Sequence, residues 1–204
     1  MPCPRSGAEW VVRARPGDTE LCLETGGGFQ AGKTGKVEAV RPVIYSGNDF
    51  SLVGEKGRFV LPPKFRTLVI QSSGDRPVLY LSKHEKWNCL VGFGDSRRLE
   101  IKADLDLDKQ IARDRREEFD YDTKAQLLLG GCEPVTIDGS GRFVVPTGLI
   151  KPGCVGSEMH FLGHITFFTL WNPVELNKLG DNFATAKSMC AALREEALAK
   201  ARKK

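Results

Sequence analysis

The chain has 204 residues, enough to bury a substantial core in one or two domains. Its composition is that of an ordinary globular protein, and its net charge of +4 is too small for bulk charge alone to indicate a polyanionic partner. No run approaches the roughly 20 apolar residues of a membrane span, and Met1 to Arg15 lacks the apolar centre of a signal peptide, so the expected location is the cytosol.

Residues 1–42 are rich in Gly, Arg, Glu and Pro with little hydrophobic periodicity, and read as a poorly ordered extension. Within them Gly27-Gly28-Phe29-Gln30-Ala31-Gly32-Lys33-Thr34 satisfies the phosphate-loop pattern, in which backbone N–H groups wrap a phosphate, the Lys neutralises it and the hydroxyl holds magnesium. The surroundings suit that chemistry poorly. Leu21-Cys22-Leu23 is short and flanked by Glu20 and Glu24, and Gly35 follows at once where a helix is needed. A phosphate-loop nucleotide-binding protein using Gly27–Thr34 therefore stands as the alternative function.

From Val43 the pattern becomes that of a folded domain. Val43-Ile44-Tyr45 and Phe50 to Val53 read as strands around the turn residues Ser46 to Asp49. Pro62 to Arg66 opens a short helix, and Ser72 to Asp75 reads as a turn. Val78 to Leu81 and Asn88 to Phe93 read as two further strands. Residues 97–128 hold no Pro or Gly and read as two helices broken near Phe119 to Asp122. Between 100 and 124, nine acidic residues stand against six basic ones, which argues against this segment lying along DNA. Pro134 to Ile137, the turn Asp138 to Gly141, and the strand Arg142 to Val145 follow, with a helical turn at Thr147 to Ile150. Met159 to Leu162 and Thr166 to Trp171 read as a hairpin. Asn172 with Pro173 starts a helix to about Leu179, and from Ala184 the chain is helical by propensity. Its basic end, Lys200 to Lys204, reads as a solvated, frayed terminus, with a weak helper role on DNA as the other reading.

One internal repeat organises this order. Gly57-Arg58-Phe59-Val60-Leu61-Pro62 returns 84 residues later as Gly141-Arg142-Phe143-Val144-Val145-Pro146, differing only at one apolar position. Each copy is a Gly turn, an Arg, a short apolar strand and a Pro that ends it. A guanidinium presented from a turn suits phosphate or the bidentate edge of guanine. A structural turn whose Arg pairs with a nearby carboxylate is the equal alternative. From 55 to 66 there are four basic residues against one acidic, so the first copy is expected to carry the stronger phosphate attraction.

Catalytic signatures are missing. There is no G-x-S-x-G elbow. His84, His160 and His164 read as surface or edge histidines, the last two sharing a strand face. The six cysteines, Cys3, Cys22, Cys89, Cys132, Cys154 and Cys190, form no C-x-x-C pair and read as small, mostly buried thiols. No enzyme activity, cofactor or metal is expected.

The stretch Ser51 to Arg66, its echo Ile137 to Pro146, the segment Phe168-Thr169-Leu170-Trp171 and the helix end Leu127-Leu128-Leu129-Gly130 resemble the MraZ family, a transcriptional regulator of the bacterial division and cell-wall gene cluster. The resemblance covers about 43–180. It implies a mainly β fold with short helices, built from two tandem AbrB-like (SpoVT-AbrB) modules that form a pseudo-dimeric, swapped-hairpin, double-split β-barrel. The implied layout is an extension at 1–42, module one at 48–97, a helical linker at 98–131, module two at 132–175 and a helical, basic tail at 176–204. It further implies a homo-oligomeric ring that binds double-stranded DNA at tandem repeats in its own promoter, as a repressor, in the cytoplasm and associated with the nucleoid. Each module of the family carries an Asp-x-x-x-Arg motif at the DNA face. Asp138 and Arg142 match it in full; in the first copy Gly54 stands where the Asp would be and Arg58 is kept. With the flanking basic residues, the implied DNA-contacting set is Lys56, Arg58, Lys64, Arg66, Asp138 and Arg142.

Overall fold

The two repeated segments pair with each other. In the computed structural model, which describes residues 43–203, β2 (Arg58–Val60) and β6 (Arg142–Val144) form a two-stranded antiparallel ribbon. Its register is centred on Phe59 opposite Phe143, with Arg58 opposite Val144 and Val60 opposite Arg142. A repeat paired with itself in reverse creates a pseudo-twofold axis, here through the two phenylalanines. Their rings are 6.3 Å apart and both are buried. The phosphate-loop match at Gly27–Thr34 lies outside the described residues.

The same axis governs the larger sheet. Six antiparallel strands lie in the order β1 (Asn48–Leu52), β7 (Glu158–Gly163), β8 (Phe168–Trp171), β4 (Leu90–Phe93), β3 (Val78–Lys83) and β5 (Glu133–Thr136). Exchanging the halves leaves this order unchanged. The registers agree: Leu52 opposite Glu158 becomes Thr136 opposite Val78. Each half therefore gives its first strand to the other half's hairpin, so the halves interleave and share one core. Leu61, Phe65, Val69, Leu79, Leu81, Phe161 and Phe168 are the fully buried centre of that core.

Six helices complete the described chain: α1 (Pro63–Ser72), α2 (Asp95–Arg115), α3 (Tyr121–Leu129), α4 (Thr147–Ile150), α5 (Pro173–Asn177) and α6 (Ala184–Arg202). They hold about twice as many residues as the strands, so the fold is mixed α/β with antiparallel sheets and not mainly β. The barrel expected from the resemblance does not close among the described residues, where β1 and β5 each have a strand partner on one side only.

Helical cover is where the halves diverge. On the first half's outer sheet face, the α2 residue Arg98 donates to the Tyr80 hydroxyl at 3.0 Å and lies over its ring. On the second half's side, Trp171, Leu176, Cys89 and Cys190 form a separate small core with Trp87 and Phe183. There α6 packs along β1 and is held by the Arg194–Glu158 ion pair at 2.8 Å. Asn172 caps α5 as expected, accepting the Val174 N–H.

Three local expectations are corrected. Val43 to Tyr45 is not a strand: Tyr45 is instead a buried anchor whose hydroxyl accepts the Gly94 N–H at 3.0 Å and pairs with Ser72 Oγ. Asn48 and Asp49 already belong to β1, and Ser72 still belongs to α1. The helical break falls at 116–120, where left-handed Arg116 closes α2 and Asp120 caps α3 by accepting the Thr123 N–H.

Candidate nucleic-acid interface

Both repeat turns close with the same backbone bond. Asp138 N–H donates to Arg142 O at 2.9 Å, and Gly54 N–H donates to Arg58 O at 2.8 Å. Both end in a glycine at positive φ, Gly57 at +69° and Gly141 at +83°, a region where a side chain is strained. That requirement explains why the glycine recurs in each copy.

Their side chains differ. In the second turn Asp138 Oδ1 accepts the N–H groups of Ser140 and Arg142, each at 2.9 Å, and Oδ2 accepts Arg142 Nε at 2.6 Å. The Arg142 N–H and guanidinium, with the Ser140 N–H, hold the Asp138 carboxyl below the usual carboxylate range. The aspartate thus braces the turn and orients the arginine at once. In the first turn Gly54 offers no acceptor. The chain instead makes one turn of 3-10 helix, Glu55–Gly57, with Lys56 in the left-handed region at φ +58°. For a residue with a Cβ that costs about 1 kcal/mol.

Alternation along the ribbon sets the outer face. Phe59 and Phe143 point into the core, so Arg58, Val60, Arg142 and Val144 point outward. The register puts the two arginines on a diagonal, with Cα atoms about 8 Å apart. Arg58, Asp138 and Arg142 line one open depression of about 440 Å³ together with Pro134, Thr136 and Val144. Of the six residues implied for DNA contact, these three are brought together there.

The other three lie apart from that depression, and only Arg66 crosses to the other half, because the β2–β6 pairing sets Leu61 against Gly141. Arg66, the fourth residue of α1, does not serve its own copy's turn. Its Nη1 points to the second turn, 3.5 Å from Gly139 O, and lies against Gly141. The position related to Arg66 by the 84-residue offset is Ile150 of α4, 41% exposed. Lys64 sends its ammonium to the Asn48 carbonyl at the start of β1 and lies beside Gly47. Lys56 is exposed on the first turn. Of the four basic residues counted for the first copy, Arg66 is thus delivered by its helix to the second turn.

The histidine reading is also corrected. His160 is fully buried on β7 between Phe50 of β1 and Trp171 of β8. Neither ring nitrogen has a hydrogen-bond partner among the described residues. Burial pushes its pKa down to about 4, against the pull of Asp49. Period-2 alternation does place it opposite Met159 and Phe161, but helices and aromatics cover that face. His164 lies beyond the end of β7, exposed and stacked on Phe167, so the two do not share a strand face. Cys89 and Cys190 are buried while Cys132 and Cys154 are half-buried, and all four are free thiols. Among the described residues there is no cluster of metal-ligating side chains, and no helix is long and apolar enough to cross a membrane.

Comparison with known proteins yields a consistent result. No family model matches the chain. The chain is similar to the transcriptional regulator MraZ of Pseudomonas syringae, at 25% identity over 141 residues, covering 69% of this chain and 88% of that protein. It is similar to the transcriptional regulator MraZ of Bacteroides fragilis, at 25% identity over 153 residues, covering 75% and 90%. The transcriptional regulator MraZ of Azotobacter vinelandii is 22% identical over 129 residues, covering 63% and 80%.

Proposed function

We propose that this chain, a distant relative of the MraZ transcriptional regulators, is itself a sequence-specific DNA-binding transcription regulator without catalytic activity. In this reading the two interleaved halves are AbrB-like modules at 48–97 and 132–175, the helices at 98–131 link them, and residues 176–204 form the tail. The protein acts in the cytoplasm, associated with the nucleoid, as a repressor of the division and cell-wall gene cluster. It binds tandem repeats in its own promoter as a ring of identical subunits.

The observation that carries the proposal is the outer face of the ribbon, where half-buried Arg58 and exposed Arg142 both face outward and Arg142 is held by Asp138. A two-stranded ribbon fits the DNA major groove, and a fixed guanidinium matches the O6 and N7 acceptors of guanine. Lys56 and Lys64 add phosphate attraction at the margin, where contacts position the protein without reading sequence. One subunit offers few base contacts, so affinity for a single site is modest. A ring facing repeated sites raises avidity through linked binding, with no new contact required. This reconciles a net charge of only +4 with DNA binding, because the local field is multiplied by symmetry.

The test is a gel shift on DNA from upstream of the protein's own gene. Arg58→Ala and Arg142→Ala should each weaken the shift while leaving the oligomer intact by size-exclusion chromatography. Unaltered shifts in both variants would reject the proposal.

A further inference from the structure

The two turns are unequal in three ways that all point in one direction. The second turn has its aspartate, Asp138, bonded to Arg142 through both carboxylate oxygens. It also receives Arg66 from the other half. It keeps Ser140 and Gly139 at its tip without a strained side-chain-bearing residue; among the non-glycine residues of the two turns, only Lys56 has a positive φ. The first turn has Gly54 in place of the aspartate, left-handed Lys56 at its tip and, at the position equivalent to Arg66, the apolar Ile150. Arg58 engages in no side-chain hydrogen bond or ion pair among the described residues, whereas Arg142 is fixed at 2.6 Å.

These differences have distinct consequences on a polyanion. A carboxylate at such a surface opposes phosphate attraction, so Asp138 lowers affinity unless it does something else. What it does geometrically is restrict the Arg142 side chain to one direction. A bidentate contact to a base edge needs a fixed direction; attraction to a phosphate does not. An untethered guanidinium such as that of Arg58 can follow the backbone wherever it runs, and it contributes chiefly the release of counterions, which is blind to sequence.

We propose that the two repeats divide the work: Asp138, Arg142 and Arg66 form one composite turn, drawn from both halves, that reads sequence, while the first turn's Arg58 is a sequence-blind phosphate grip. This rests on the DNA-binding reading above and extends it. Arg142 is the group that touches the base edge, Arg66 flanks it, and Asp138 is a positioning residue that acts through Arg142. Each subunit then reads one short element of sequence instead of two, so tandem repeats would be matched one to a subunit.

The experiment is equilibrium fluorescence anisotropy with the full chain, on a duplex from upstream of its gene and on a scrambled duplex of equal length and composition, over a salt series. Arg142→Ala and Arg66→Ala should lower the ratio of specific to scrambled affinity by roughly tenfold, the scale of one base contact. Arg58→Ala should weaken both duplexes by the same factor, and should reduce the slope of log affinity against log salt by about one. Asp138→Ala supplies a readout that misfolding cannot mimic: specific affinity falls while scrambled affinity holds or rises, because a negative charge has been removed. The double graft Gly54→Asp with Ile150→Arg should raise the ratio by rebuilding the composite turn at the first site. The division of work is overturned if Arg58→Ala erodes discrimination as much as Arg142→Ala. It is equally overturned if Asp138→Ala leaves the ratio unchanged. A wild-type chain that binds neither duplex, or both alike, overturns the DNA-binding reading itself and this inference with it.

Discussion

Acidification should destabilise this protein chiefly through His160, with His84, also lowered by burial, acting in the same direction. His160 is fully buried between Phe50 and Trp171 with both ring nitrogens unpartnered, and burial holds its pKa at about 4. In the unfolded chain the value returns to about 6.5. The unfolded state therefore binds the proton first as pH falls, so the stability present above about pH 6.5 is lost progressively down to about pH 4. The interval corresponds to about 2 kcal/mol lost at pH 5 and about 3 kcal/mol once both states are protonated. The four depressed carboxyls, Asp106, Asp120, Asp138 and Glu175, act in the same direction. Their contribution comes at lower pH, because the window of a depressed carboxyl opens below its ordinary value near 4. The assay is urea unfolding of the wild type and of His160→Leu at pH 7 and pH 5. The variant should lose about 2 kcal/mol less than the wild type between the two conditions. Equal losses in both proteins would refute the assignment of acid sensitivity to this side chain.

Two stability predictions follow from the repeat turns and the axis between them. Lys56→Gly relieves the left-handed backbone at φ +58° and should raise the unfolding free energy by about 0.5–1 kcal/mol, measured by chemical denaturation. Phe143→Ala empties the buried side of the ribbon beside Phe59 and should cost about 3–5 kcal/mol, read as a lowered urea midpoint with an unchanged slope.

The parts of this fold that were legible in the sequence are the local ones. The repeat at 57–62 and 141–146, the hairpin ending at Trp171, the Asn172 cap and the Asp138 turn all follow from residue chemistry within a few positions. What residue chemistry alone does not give, though the resemblance implies swapped hairpins, is the pairing of distant strands. Nothing within Asn48–Leu52 says that its partner is Glu158–Gly163, 110 residues away in the Asn48–Glu158 sense, and not its own copy's hairpin. The pairing of β2 with β6 is equally non-local: it sets Leu61 against Gly141 and so brings Arg66 to the second turn, whereas a charge count along the chain places Arg66 with the first. The burial of His160 is hidden from the sequence for a related reason. Alternation correctly put it on the face opposite Met159, but a polar residue on the outer face of a strand is taken as solvated unless the covering helix is known. The asymmetry of the Arg66 and Ile150 positions is legible in the sequence, because the 84-residue offset continues into the first turn of both helices. The signal is one apolar-for-basic exchange outside the six-residue repeat.

The decisive measurement of DNA recognition is the affinity of the wild-type chain for the duplex upstream of its own gene, set against a scrambled duplex, between about 50 and 200 mM salt. Tighter binding to the upstream duplex is expected at every salt concentration, with both affinities falling steeply as salt rises. Binding that ignores sequence, or that does not respond to salt, would contradict the DNA-binding proposal.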